Sequence, residues 1–166
     1  MTATEIALPA GEVLCLRDVC ASDARALSDL AFRSKKVWGY DQAFMAKVRA
    51  ELRWSESDLR APGIRGQLLA DRNRVVAGFH LLNWQAREEP ELDALFVHPD
   101  WMGRGVGSAL LRLAIRIARE EGAREITLES DPFAAGFYDT MGAEPVGGRP
   151  VPEIPGRSLP LYRISL

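Results

Sequence analysis

Residues 91 to 121 restrict what this chain can become more than any other stretch. Leu92, Ala94, Leu95, Phe96 and Val97 form an apolar run of strand length, and His98-Pro99-Asp100 has turn chemistry. Gly103-Arg104-Gly105-Val106-Gly107 follows, and out of it grows a pattern of helical spacing: Val106, Leu110, Leu113, Ala114 and Ile117, widened by Leu111, Ile115 and Ala118. Strand, glycine-rich loop and helix thus follow one another. Glycine lets the main chain come close to a ligand, and the first-turn N–H groups of a helix lack intrahelical acceptors, so this junction suits an anion such as phosphate. Ser108, Arg112, Arg116 and Arg119 mark the solvent side, Gly122 is the expected C-cap, and so broad an apolar stripe must pack on a sheet. From Gly103 to Glu121 the helix would span roughly 28 Å.

The rest of the chain supplies that sheet. Residues 1 to 11 read as a loose leader, and Val13 to Leu16 as a first strand. Ser22-Asp23 has N-cap and first-turn chemistry for a helix through Ala26, Leu27, Leu30 and Ala31, whose pattern breaks at Ser34 to Trp38. Trp38-Gly39-Tyr40-Asp41 reads as a loop before a second helix carrying Phe44, Met45, Val48 and Leu52. Gly66 to Ala70 and Arg74 to Leu82 are strands joined by the turn residues Asp71-Arg72-Asn73, with Gly78 marking a bulge or a close backbone approach. Asn83 to Pro90 is a polar loop containing Trp84. Glu125 to Ser130 alternates as a strand, Asp131-Pro132 opens a helix closed by Met141-Gly142, Pro145 to Pro160 reads as a glycine- and proline-rich loop, and Leu161 to Ile164 as a last strand. The order β-α-α-β-β-β-α-β-α-β predicts a mixed α/β domain with helices on both faces of one sheet.

Size and charge limit the function. A chain of 166 residues suits one domain, 1–166, and its net charge of −2 lacks the basic excess of a nucleic-acid-binding chain. No apolar run approaches the roughly 20 residues of a membrane span, and the start lacks a signal-peptide pattern, so a cytoplasmic protein is expected. Cys15 and Cys20 are too few for a disulfide framework and fit no metal spacing; with only His80 and His98 besides, no metal site is expected.

Three phosphate-binding loops can be compared with the glycine run. A Walker A loop needs Gly-Lys-Ser/Thr, and Gly107 is followed by Ser108. A dinucleotide fingerprint needs a third glycine or alanine where this chain has Ser108 or Leu110. The third matches: Leu95 through Leu111 resembles the acetyl-CoA pyrophosphate loop of the GNAT superfamily of N-acetyltransferases, Gln/Arg-x-x-Gly-x-Gly/Ala, with Gly105 and Gly107 on its glycines and Met102 where Gln or Arg is usual. A second segment, Asp131-Pro132-Phe133-Ala134-Ala135-Gly136-Phe137-Tyr138-Asp139-Thr140-Met141-Gly142-Ala143, resembles the family's Asn-Pro-x-Ala-x-x-Phe-Tyr-x-x-x-Gly-Phe. Here Asp131 replaces Asn and Ala143 an aromatic.

The resemblance implies a GNAT-like acyl-CoA N-acyltransferase fold, a mostly antiparallel sheet with one splayed strand pair. It also implies acetyl transfer from acetyl-CoA to a primary amine of a small molecule or peptide by direct attack in a ternary complex. The cofactor-binding residues would be Leu95, Phe96 and Val97 through their main chain, Met102, Gly103, Arg104, Gly105, Val106, Gly107 and Ser108 in the loop, and Asp131, Ala134 and Phe137 in the second motif. Tyr138 would protonate the leaving thiolate, its alternative being a ring that fills the core edge. Glu91 or Asp93 would take the amine's proton, unless solvent does; the bland account is two solvated carboxylates at a strand mouth. Trp38, Tyr40, Trp84 and the 145–160 loop are candidate substrate walls, and the acidic pair suits a cationic amine. A homodimer is implied by resemblance alone. A GNAT-fold acyl-CoA sensor without turnover is the other reading, which Met102 leaves open.

Overall fold

The computed structural model describes residues 3–84 and 87–166. Its one sheet has eight strands in the order β1-β2-β3-β4-β5-β6-β8-β7. These are β1 (Thr4–Ala7), β2 (Val13–Asp18), β3 (Ile64–Ala70), β4 (Val76–Asn83), β5 (Glu91–Val97), β6 (Glu125–Glu129), β7 (Glu144–Pro150) and β8 (Ser158–Ser165). Every pairing is antiparallel except β5 with β6. A parallel pair needs a crossover, and α4 (Val106–Glu120) provides it.

The helices divide between the two faces as the apolar patterning requires. Leu27, Leu30 and Ala31 of α1 (Ala24–Lys36), with Met45 and Val48 of α2 (Gln42–Val48), pack with Phe79, Leu81 and Ala94 on one face. Leu111, Ala114 and Ala118 of α4 pack with Leu82, Leu92, Ile126 and Leu128 on the other, where Tyr138 of α5 (Ala135–Thr140) joins them. Val106, Leu110 and Leu113 continue that layer over Leu14, Leu16 and Leu69. Gly78 faces α4: a Cβ there would lie 2.8 Å from both Leu110 Cδ1 and Phe96 O, so the expected close approach is real and is made by a helix and a strand together. A bulge accompanies it, since the register shifts between Leu69 and Ala70 opposite Gly78 and Val76.

Several expectations need correction. The loose leader is in part a strand, β1 pairing with β2 from Thr4↔Leu16 to Ala7↔Val13; residues 1 and 2 lie outside the described ones. Helix α1 runs through Ser34 and Lys35 to Lys36, because Ser34 is buried despite its polarity. A short helix α3 (Glu56–Arg60) follows a capping box between Ser55 and Asp58. Helix α4 begins at Val106 rather than at Gly103, and Asp131-Pro132 opens a 3-10 turn that leads into α5. Within the expected 145–160 loop, residues 145–150 belong to β7, an edge strand in which every residue is exposed, and residues 158–160 begin β8. Of the expected 83–90 loop, residues 85 and 86 lie outside the described ones.

His80 sits in the middle of β4, fully buried, with neither ring nitrogen hydrogen-bonded. Burial lowers its pKa from 6.5 to about 4, against a small upward pull from Asp18. The folded value lies below the unfolded one, so the chain is most stable above pH 6.5, where the imidazole is neutral in both states, and loses stability as pH falls from 6.5 toward 4. This group alone should remove about 2 kcal/mol of unfolding free energy between about pH 7.5 and pH 5 in urea titrations. His80→Leu should flatten that slope, and parallel profiles for the two proteins would refute the assignment.

Candidate active site

Strands β5 and β6 meet at one register point, Glu91↔Thr127, and then part. Beyond it, the main-chain groups of β5 that point away from β4 have no strand partner, and a cleft of about 590 Å³ opens between the two strands. One wall is β5 from Glu91 to Val97, the other Glu129, Ser130 and Asp131. Above Val97 the cleft reaches Met102, Gly103 and the stretch from Gly105 to Ser108; below, it ends among Ser34, Lys35, Trp38, Glu51 and Leu52. The sequence pattern of β5 explains its two faces. The β4–β5 register shifts so that Leu82 pairs with Leu92 and Leu81 with Ala94, leaving Asp93 as an extra, bulged residue. Leu92 and Ala94 therefore enter opposite cores, which strict alternation forbids.

The loop end has the features of an anion cradle. Gly105 is the N-cap of α4 with φ of +90°, and a Cβ there would lie 2.9 Å from Pro9 Cδ, so the β1–β2 turn props the loop from behind. Ala109 N donates to Gly105 O at 3.1 Å, the first bond of the helix. The N–H groups of Val106, Gly107 and Ser108 are thus free of intrahelical acceptors and lie along the cleft. Gly107 faces Phe137 and Val97, where an added Cβ would meet Phe137 Cε2 at 3.4 Å. These groups fit a pyrophosphate held by main chain.

The expected site residues can now be placed. Tyr138, Glu91, Asp93, Leu95, Phe96, Val97, Met102, Gly103, Gly105, Val106, Gly107, Ser108, Asp131, Ala134, Phe137 and Trp38 all line this cleft. Arg104, Tyr40 and Trp84 do not. Arg104 is exposed, 3.4 Å from Glu12 and stacked over Trp101, which draws its charge toward the N-terminal turn. Trp84 packs against the core beside Leu82 and Leu92, its main-chain N–H donating to Gly63 O. Tyr40 lies behind the cleft wall, where its hydroxyl donates to Asp131 (2.9 Å to Oδ2) and accepts from Arg157 Nη1 (2.9 Å).

Asp131 is the hub of a cluster that no local pattern announces. Its carboxylate also accepts from Lys35 Nζ (3.1 Å), Arg157 Nη2 (3.2 Å) and Phe133 N (2.9 Å). Burial pushes this carboxyl upward, but the Phe133 N–H, the Lys35 charge and the Tyr40 hydroxyl together hold it below the usual carboxylate range. The Arg157 guanidinium lies 4.7 Å from the Phe44 ring centre and 5.0 Å from that of Tyr40. Trp38 stacks on Phe133 at 5.7 Å. Helix α1, the 3-10 turn after β6 and the β7–β8 connection are thereby tied together at the inner end of the cleft.

Tyr138 lines the cleft from the α4 side. It is 7% exposed, its ring contacts Phe137 at 5.0 Å and Tyr162 at 5.7 Å, and burial raises its phenol well above the ordinary value. Glu91 is raised by burial first and by Asp93 second, with Arg87 at 3.0 Å pulling it back. Asp93 accepts from Asn83 Nδ2 at 2.9 Å. Lys35, Glu51 and Phe133 were not legible as site residues in the sequence, Lys35 because Ser34 to Trp38 read as a break in the helix; the 145–160 loop, expected as a substrate wall, gives Leu159 to the cleft and Arg157 to the cluster behind it.

The sequence profile of the acetyltransferase (GNAT) family matches residues 26–143. The chain belongs to the GNAT acetyltransferase family. An N-acetyltransferase of uncharacterised role from Methanocaldococcus jannaschii is 30% identical over 138 residues, which cover 78% of this chain and 60% of that protein, so the match spans less than two thirds of the archaeal relative. A peptidyl-lysine N-acetyltransferase of Salmonella typhimurium is 32% identical over 116 residues, 70% of this chain and 74% of its own. In structure, the PaiA N-acetyltransferase of Thermoplasma acidophilum, solved with coenzyme A, superimposes with a TM-score of 0.72 at 18% identity over 92% of this chain and 99% of that one, a likeness of fold. The mixed α/β architecture with a mostly antiparallel sheet is that of the GNAT fold. Among the described residues no helix is long and apolar enough to cross a membrane.

Proposed function

We propose that this GNAT cleft transfers an acetyl group from acetyl-CoA to a primary amine of a small molecule or peptide, by direct attack in a ternary complex. The observation that carries the reading is the release of β5 from β6 after Glu91↔Thr127, which exposes one strand edge along a cleft running from the α4 N-terminus to Tyr138. When bound, acetyl-CoA supplies an activated thioester whose leaving group is a thiolate.

Each residue then has a task. The free N–H groups of Val106, Gly107 and Ser108 hold the pyrophosphate, with the helix dipole favouring its charge, and Met102 leaves that work to the main chain. The unpaired edge of β5 at Leu95, Phe96 and Val97 offers main-chain hydrogen bonds to the pantetheine arm and the acyl oxygen. Tyr138 stays protonated at all working pH values and stands as the proton donor; the dry surroundings that raise its pKa raise that of a neighbouring thiol as well, so the proton still has a reason to move. Glu91, made more basic by burial and by Asp93, accepts the amine's proton directly or through water.

Incubation with acetyl-CoA and a panel of a lysine peptide, a free N-terminal peptide and small diamines, followed by thiol release, tests this. The peptide arm is motivated by the Salmonella relative, whose name makes it a peptidyl-lysine acetyltransferase. Amine-dependent thiol release is expected. Tight CoA binding with no release above the amine-free rate would instead make the protein an acyl-CoA sensor.

A further inference from the structure

Beside the inner end of the cleft lies a second cavity of about 310 Å³, formed between α1 and the turn that follows α2. Three arginines line it, Arg33, Arg49 and Arg53, against one carboxylate, Asp29. Among the described residues none of the three lies within 4.0 Å of a carboxylate oxygen, although most arginines elsewhere in the sheet and its loops are paired. Arg49 is held in place by Phe32, its guanidinium 4.1 Å from the ring centre, which leaves the N–H edge free for an anion. The surrounding segment is basic as a whole: residues 24–54 carry seven Lys and Arg against three Asp and Glu, net +4, in a chain whose total is −2.

The two cavities share Leu52 and have opposite polarity. Glu51 lines the cleft together with Glu91, Asp93 and Glu129; Glu91 and Glu129 are paired with Arg87 and Arg149, which leaves Glu51 and Asp93 to favour a cation, while Arg53 lines the basic pocket. Residues two apart have Cα atoms at most about 7 Å from each other, so an acid-lined slot and an anion-seeking pocket stand side by side. An extended peptide advances about 3.3 Å per residue, so side chains two or three positions from a residue lying against Glu51 would reach the pocket.

We propose that this pocket docks carboxylate side chains flanking the acceptor amine, so that the acceptor is an acidic peptide segment. The amine enters the cleft past Glu51, and neighbouring Asp or Glu side chains pair with the guanidinium groups of Arg33, Arg49 and Arg53. The coenzyme's phosphates are not the occupant, since their cradle at Gly103–Ser108 is at the opposite end of the cleft. The inference rests on the acetylation reading for the amine's place, while the pocket's affinity for acid can be measured apart from turnover.

The test uses two N-terminally blocked peptides of equal length with one lysine each, flanked by glutamates in one and by glutamines in the other. Both are assayed for thiol release and, carrying a fluorophore, for binding by anisotropy. The unmodified protein should favour the glutamate peptide by about tenfold in kcat/KM and in affinity at low salt. That preference should fall below about twofold in about 0.5 M salt. In R33Q/R49Q/R53Q it should also vanish, with the rate on the glutamine peptide unchanged and the urea midpoint within error of the parent. Equal affinity for the two peptides, or a preference that survives the triple substitution, overturns the proposal. If neither peptide nor any small amine releases thiol, the acetylation reading fails, and anisotropy still decides whether the pocket prefers acid. Competition of the glutamate peptide by millimolar inorganic phosphate is expected of a shared anion site; a pocket that binds phosphate yet ignores the glutamate peptide would overturn the peptide assignment.

Discussion

Tyr138→Phe should lower kcat by roughly 10²-fold while leaving the affinity for acetyl-CoA within about threefold. The substitution removes one oxygen and keeps the ring, so the contacts with Phe137 and Tyr162 and the packing beneath the cleft persist. What is lost is the hydroxyl proposed as proton donor, a group lining the cleft that among the described residues makes no hydrogen bond to the protein and is thus free to serve a ligand. A thiolate that departs unprotonated is a poorer leaving group, and the loss belongs to the transition state rather than to binding. Equal falls in kcat and in affinity would reduce Tyr138 to a packing residue, and no fall in either would take it out of the chemistry.

Asp131→Asn should cost about 3 kcal/mol of stability, although asparagine is the residue usual at this place in the family motif and caps a turn as well as aspartate does. An asparagine oxygen can still accept from Phe133 N and Tyr40. It cannot neutralise Lys35 and Arg157, whose side chains are 14% and 12% exposed, and breaking one partner out of a buried ion cluster strands the others. For a chain of this length the melting temperature should drop by about 6–12 °C. Restoring balance by adding Lys35→Met should recover part of it. A melting temperature unchanged by Asp131→Asn would show that Asp131 acts only as a cap.

The parts of this molecule that the sequence discloses are those whose physics is local. Glycines at 103, 105 and 107 between an apolar run and a helical stripe mark the strand–loop–helix junction, because positive φ and close approach demand glycine at fixed spacing. Tyr138 is visible for the same reason, inside a contiguous motif. Edge strands are not: β7 has no buried face to impose alternation, and its Gly147, Gly148 and two prolines imitate a loop. Thr4–Ala7 in β1 is likewise almost wholly exposed. The Asp131 cluster draws on residues 35, 40, 131 and 157, so nothing short of the folded sheet brings it together. The two-residue rule that places Glu91 and Asp93 side by side holds in outcome, since both line the cleft, yet the bulge at Asp93 breaks the alternation on which that rule depends.

A crystal structure of the protein with coenzyme A addresses the central claim most directly. The account predicts the pyrophosphate on the N–H groups at the start of α4, the pantetheine arm along the unpaired edge of β5, and the sulfur within hydrogen-bond reach of the Tyr138 hydroxyl. Coenzyme A bound outside the β5–β6 cleft, or a sulfur remote from Tyr138, would contradict it.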